Sequence, residues 1–376
     1  MAAAVAASSS SSHAPARLGR FGHPYLNKPF PFDLPLATDA FPRVNDNDDS
    51  VLSQAIVARA DALLPEPEER ANLTALVIKV RNVLDKIQSS PDMLPGVTIE
   101  EVREVGSYKK DTMVRGSSVA DLVVVTRSMP TIESVLSLGQ KICSEVTGYP
   151  EALTAASREN GCQLNTRDHA VRLLISTISA NTKNLEKDLH LSYDVIAANQ
   201  AMIFHARWFE EYCTVPSVRL LVRVLKDLRH RYKGLVPINV WAFESLAQYA
   251  IVCSPSNTPL ALGPAFRRVL ALLSAGVFLP GSSGLCDPVD NRYRLCDRLS
   301  FEEMDTACNT AQTLLRLLSH GSIEQVLGTQ PSTDDITTKI NFCNGTVVTP
   351  LEKAYDETLF KSSPAQKSED DEMMGK

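Results

Sequence analysis

The spacing of apolar residues divides the chain into two stretches of different character. Asp49 to Leu64 and Glu68 to Gln88 carry helical patterns; in the second, Leu73, Leu76, Val77, Val80, Leu84 and Ile87 recur at intervals of three and four, one face of a helix. Pro91, Pro95 and Gly96 end it. Val97 to Val105 alternates apolar and charged residues and Val119 to Thr126 is rich in valine, so both predict strands, which follow naturally as a pair. Pro130 is expected in the first turn of a helix with Ile132, Val135, Leu136, Ile142 and Val146 on one face, and Ala170 to Ile178 is another β-branched run. This half reads as mixed α/β.

After about Leu191 the strand signal stops and helices take over: Tyr193 to Tyr212, Pro216 to Tyr232, Trp241 to Cys253, Leu260 to Ala275 and Phe301 to Leu318. Breaks at Pro237, Pro255, Pro280, Gly281 and Gly284 separate them. No segment repeats another. The fold class expected is α+β: an α/β lobe over residues 25–190, then an all-helical lobe over 191–360, with a cleft between them of the kind where ligands bind.

Composition adds limits. Length, 376 residues, suits two lobes at about 150 residues per domain, and 44% hydrophobic with 22% charged residues is ordinary for a folded chain. Residues 1–24 open with an Ala/Ser-rich tract that carries Arg17 and Arg20 and no acid; disorder is expected, and an organelle transit peptide has a similar composition. Residues 361–376, with Glu369, Asp370, Asp371 and Glu372, are expected to form an acidic disordered tail. The longest strongly apolar stretch, Val269 to Pro280, is shorter than the roughly 18 residues of a membrane span, so no membrane is expected. A net charge of -6 argues against a free-standing nucleic-acid-binding module, so nucleic-acid contact must be local or come through a partner. The eight cysteines lack metal-site spacing and the seven histidines are scattered; reduced thiols and no metal are expected, with Cys143, Cys253 and Cys308 inside apolar helical patterns.

The chemistry centres on Gly106-Ser107, at the end of an expected strand, where a tight turn can present a backbone N–H and a hydroxyl to phosphate. Asp121 follows on the next strand. The combination resembles the start of a nucleotidyltransferase site, in which GlySer cradles a triphosphate and an Asp-x-Asp pair holds two magnesium ions. Residues i and i+2 of a strand point the same way, so two carboxylates can clamp two metals about 4 Å apart. Here the second position is Val123, which cannot ligate a hard cation.

The resemblance extends along the chain. GluValGlySerTyrLysLys at 104–110, ValAlaAspLeuValValVal at 119–125, HisAlaArgTrpPheGlu at 205–210, LeuLysAspLeuArg at 225–229, GlyValPheLeuProGlySer at 276–282 and ThrAlaGlnThrLeuLeuArg at 310–316 together resemble the DZF domain, the "domain associated with zinc fingers". Within that family the chain is most similar to the smaller subunit of a nuclear-factor heterodimer. The likeness spans roughly Pro29 to Tyr355, making 25–360 one DZF domain. It implies a fold akin to template-free nucleotidyltransferases such as oligoadenylate synthetase, loss of catalysis, and a heterodimer with a DZF partner bearing double-stranded-RNA-binding domains or zinc fingers. RNA, and DNA to a lesser degree, would then be met mainly through the partner. The implied location is the nucleus, including the nucleolus, with some cytoplasmic protein.

By the same resemblance the third metal-binding acid of an active relative aligns with Ser176, so one acid of three remains and no catalytic residue is expected. Asp121 has two readings, a weak hold on hydrated Mg²⁺ through a nucleotide phosphate or a hydrogen bond to the Gly106 turn. Lys226 matches the lysine that contacts triphosphate in the related enzymes. No cofactor is required on this reading, and weak binding of ATP or another nucleotide with Mg²⁺ is left open. An active nucleotidyltransferase and a free-standing nucleic-acid-binding module are the competing functions.

Two surfaces carry further expectations. On the helix from Pro216, Arg219, Arg223, Lys226, His230 and Lys233 share a sector of about 80° opposite Leu221, Val224, Leu225, Leu228 and Tyr232. This stripe is either a solvated face or a phosphate-binding one, with Arg223 beside Lys226. Leu314, Leu315, Leu317, Leu318, Ile323, Val326 and Leu327 crowd two short helices around Gly321. They are candidates for the partner interface, the competing reading being burial beneath Val347 to Tyr355. Trp208 and Trp241 are expected in the core.

Overall fold

Valine-rich β2 (Val119–Thr126) is buried from Ala120 onward, because both faces of its sheet are covered. It pairs antiparallel with β1 (Ile99–Val105) and parallel with β5 (Ala170–Thr177). Two strands not anticipated, β3 (Thr154–Arg158) and β4 (Gly161–Asn165), extend the sheet beyond β5, giving the order β1-β2-β5-β4-β3. This computed structural model describes residues 32–33, 48–149, 152–254, 257–329 and 335–352. The expected tails, 1–24 and 361–376, lie outside the described residues.

Strand alternation sends Leu122, Val124, Leu173 and Ile175 to one face, beneath α2 (Pro67–Ser89) and α4 (Ile132–Glu145), where they meet Leu73, Leu76, Val80, Leu84, Leu138 and Ile142. The opposite face carries Val105, Val123, Val125 and Leu174, roofed by Met202, Ile203 and Ala206 of α5 (Tyr193–Tyr212). The start of α4 is set by Thr131, whose hydroxyl accepts the Ser134 N–H as an N-cap. Pro130 therefore precedes the helix instead of occupying its first turn. The buried face of α4 is Val135, Leu138, Gly139 and Ile142, with Ile132 exposed.

The second core joins α6 (Pro216–Arg231), α7 (Val240–Val252), α8 (Leu262–Ser274), α9 (Phe301–Ser319) and α10 (Ile323–Leu327). A capping box, Ser300 with Glu303, starts α9. Two helices cross the division expected at residue 190. The first, α1 (Ser50–Ala62), precedes the sheet in sequence yet buries Leu52, Ile56 and Ala60 among the helices, while α5 roofs the sheet. The second lobe is also not all-helical: β6 (Asn341–Cys343) and β7 (Thr346–Val348) form a hairpin whose Asn344-Gly345 turn has φ of 47° and 82°. Among the described residues no helix is long and apolar enough to cross a membrane.

The candidate interface leucines are core residues. Leu314, Leu317, Leu318, Val326 and Leu327 are buried, and Leu315 and Ile323 pack against the same cluster half-buried. Helix α9 is apolar over a wide arc because its own chain surrounds it: α8, the turn at Lys233–Leu235, α10 and β7 all contact it. Exposed apolar side chains among the described residues of this region include Ile340, Phe342 and Val347 on and beside the hairpin, with Phe301 at the start of α9 and Leu351 after the hairpin.

All eight cysteines are free thiols. Burial pushes the thiol of Cys162 up to about 11 and that of Cys213 up to about 12, so both behave as small apolar side chains.

Candidate functional site

Strand β1 hands over at Val105 to Gly106, which adopts φ of 68° and opens the one-turn helix α3 (Gly106–Lys109). Only glycine suits this position. The conformation is left-handed, and a Cβ would overlap the carboxylate of Asp121, which the sheet register sets opposite Val105. Ser107 is thereby held at the mouth of the turn.

Asp121 does not make the hydrogen bond to the Gly106 turn that one of its two readings expects; its partner is a side chain on β5. Its side chain, 6% exposed, accepts two N–H bonds from Arg172, Nε to Oδ1 at 2.6 Å and Nη2 to Oδ2 at 3.0 Å. Arg172 is the parallel-register neighbour of Asp121 on β5 and points to the same face, with its own side chain 44% exposed. Val123 is level with Leu174, and both are buried under α5.

The register places Ser176 away from Asp121. It lies level with Val125, four residues beyond Arg172, and its Oγ has the carbonyl of Ile196 and Gln200 Oε1 on α5 within hydrogen-bond distance, at 3.2 and 2.8 Å, for its one hydrogen. The β5 positions level with Asp121 and Val123 are Arg172 and Leu174. A two-metal site needs anionic oxygens at these positions. The residues present do not fit one: they offer a single carboxylate already bridged by a guanidinium, two apolar side chains, and a fixed positive charge.

From the other lobe, the basic stripe of α6 meets the loop after α3. Lys226 Nζ donates to Ser107 Oγ at 2.6 Å, to the Thr112 carbonyl at 2.7 Å and to Thr112 Oγ1 at 3.2 Å. Arg223 Nη2 donates to the Asp111 carbonyl at 2.6 Å and Arg219 Nε to that of Lys110 at 3.3 Å. The stripe therefore divides: its first three members fasten one lobe to the other, while His230 and Lys233 are exposed. Burial pushes the Lys226 ammonium down to about 8, against an opposing pull from Glu244. Gly106, Ser107, Asp121 and Lys226 thus converge as expected, with Arg223 one turn away on the loop backbone.

Two participants escaped the sequence reading. Arg172 is one; the signal was a lone charge inside the apolar run of β5, on the same strand face as Leu174. The other is the pair Lys110–Glu244, joined at 2.6 Å with both side chains 3% exposed. Lys110 Nζ also lies over the rings of Phe209 and Trp241, at 5.5 and 5.3 Å. Beside it His205 stacks on Trp241 at 3.8 Å, and burial, followed by the Lys110 charge, brings the imidazole down to about 3. Trp208 is buried, and Trp241 is half-buried with Nε1 donating to Asp287 Oδ2.

A Gly-Ser turn at the end of a strand, facing an acid on the next strand and a lysine from a following helical lobe, defines a nucleotidyltransferase-like fold. Solved structures bear this out at the level of the fold. The E. coli CdnC:HORMA-deltaN complex matches at 13% identity and TM-score 0.53, over 74% of this chain and 94% of that one. Cid1 with its short product ApU matches at 10% identity and TM-score 0.52, over 75% and 99%. A cytoplasmic RNA terminal U-transferase matches at 11% identity and TM-score 0.52, also over 75% and 99%. The chain itself belongs to the DZF family: residues 19–214 match the DZF N-terminal domain and residues 217–349 the DZF C-terminal domain.

Proposed function

We propose that this chain is a non-catalytic member of the nucleotidyltransferase-like class, a subunit that pairs with a DZF-domain protein carrying double-stranded-RNA-binding domains or zinc fingers. It would act in RNA metabolism and in transcriptional and post-transcriptional regulation, in the nucleus and to a lesser extent the cytoplasm. The observation that carries the non-catalytic reading is the bridge between Arg172 and Asp121. Phosphoryl transfer leaves a protein little to do beyond positioning and metal-borne charge stabilisation, and the one carboxylate offered here, Asp121, is already paired with a guanidinium.

Nucleotide addition with each of the four nucleotides, in Mg²⁺ and in Mn²⁺, tests the reading. No product above background is expected; template-independent product that disappears in Asp121→Ala would make the chain an active transferase. The partner half of the reading rests on family membership. The surface assigned to it moves from the buried leucines to the hairpin, where Ile340, Phe342 and Val347 are 60%, 78% and 53% exposed. Obligate interfaces bury apolar side chains of this kind.

A further inference from the structure

The cleft that lacks a metal site has a substitute built in. We propose that Arg172 is a permanent cation in place of the divalent metals, and that the cleft binds the polyphosphate of a nucleoside triphosphate without any divalent ion. The inference rests on reading the cleft as a degenerate transferase site.

Three observations support it. First, Asp121 uses two of the five guanidinium N–H groups, through Nε and one hydrogen of Nη2. The carboxylate fixes the guanidinium plane, and the 44% exposure of the side chain leaves its outer edge turned to solvent, where a phosphate can be met in a bidentate manner. Second, Lys226 lies on the other side of the Gly106 turn and holds Ser107 Oγ as an acceptor, so the serine hydroxyl keeps its own hydrogen for a phosphate oxygen. Asp121, Arg172 and Lys226 together carry one net positive charge before any ligand arrives. Third, a divalent ion brought in with the nucleotide would have to displace the guanidinium from Asp121 or sit beside it, and like charges at such range repel. In an active relative Mg²⁺ joins nucleotide to protein; here it competes with Arg172.

The sign of the metal effect follows. Free ATP carries more negative charge than its magnesium complex and should be the preferred ligand. Calorimetric titration of the full chain with ATP, and separately with inorganic triphosphate, in EDTA and in excess Mg²⁺, reads this directly. The expected result is binding in EDTA at least as tight as in Mg²⁺, shared by triphosphate because the phosphates carry the recognition. Arg172→Ala should weaken EDTA binding by about tenfold or more, and Arg172→Lys should recover part of it. Thermal melting of each variant separates lost binding from lost folding, and Arg172→Gln, which keeps bulk and hydrogen bonding without charge, replaces an alanine variant that fails to fold.

ATP binding that requires Mg²⁺, no binding in EDTA, or equal EDTA affinity in the charge-free variants would each overturn the proposal. Those failures are separable from failure of the non-catalytic reading. EDTA binding accompanied by label transfer once Mg²⁺ is added would remove that reading alone; absent EDTA binding with no transfer would remove this one alone.

Discussion

Lys110 and Glu244 meet at 2.6 Å in the interior, one from the end of α3 and the other from the apolar helix α7, so that a buried ion pair spans the two lobes. Phe209 and Trp241 close over the ammonium. Neither partner has water to fall back on.

Breaking the pair from one side should therefore cost far more than removing it. Glu244→Ala strands a buried ammonium and is expected to lower stability by about 3–5 kcal/mol. The double replacement Lys110→Met with Glu244→Leu should lose much less than the sum of the two single changes. Denaturant titration of the four proteins gives the coupling; additive losses would mean the pair contributes nothing as a pair.

Acid should loosen the same region. The buried His205 imidazole, down to about 3, stays neutral in the fold, and its Nδ1 has no hydrogen-bond partner among the described residues. Between about pH 6.5 and pH 3 the unfolded chain binds a proton that the folded chain refuses, so stability falls as pH falls through that window. His205→Phe, which retains the stack on Trp241, should show a shallower loss of melting temperature across the window than the parent protein. Parallel curves would discharge His205 from this role.

Lys226 has the corresponding alkaline signature. Its ammonium is down to about 8, below the ordinary lysine value, so in the free protein the charge fades as pH rises through that point. An anion bound there restores the proton. ATP affinity should decline above about pH 8, and binding at higher pH should take up a proton, seen as a calorimetric heat that depends on the buffer's ionisation enthalpy. Lys226→Met should abolish the uptake.

The turn at Gly106 tolerates no side chain. Gly106→Ala adds a left-handed strain and drives a methyl group into the Asp121 carboxylate, which must then release Arg172. A loss of about 1–3 kcal/mol is expected by chemical denaturation, together with loss of any ATP binding.

Partner contact and core packing can be separated by two acidic substitutions. Leu317→Asp sets a charge in a fully buried position and should prevent folding. Phe342→Asp lies on an exposed strand and should leave stability within about 0.5 kcal/mol of the parent while reducing co-purification with a DZF partner. Unchanged co-purification would move the interface elsewhere.

Elements with strong periodicity were legible in the sequence, and those held by context were not. Strand β2 has the bounds its valines indicate, and α5 runs from Tyr193 to Tyr212 as its pattern does. Strand β3, a largely exposed edge strand, has one β-branched residue and the mostly buried β4 has none, so their pattern is faint. The Asn344-Gly345 hairpin turn was present as a signal but stood between strands of three residues each. At the site, Gly106, Ser107 and Asp121 were readable from motif spacing, and Lys226 from the family resemblance. Arg172 and Ser176 were not, since which β5 residue stands beside Asp121 depends on register, and shifting a strand by two keeps its face while changing its neighbour. The leucines of α9 show the converse limit: an apolar arc counts contacts to be made but does not say whether they come from the same chain.

Because α1 is seated among the helices and α2 against the sheet, the polypeptide passes between the lobes once near Leu63 and again between α5 and α6. An isolated second lobe cut after α5 would lack the plug formed by Leu52, Ile56 and Ala60 and would present an open apolar slot in its place. The two halves are thus obligatory companions, and a gene fragment encoding either one alone specifies an unfinished fold.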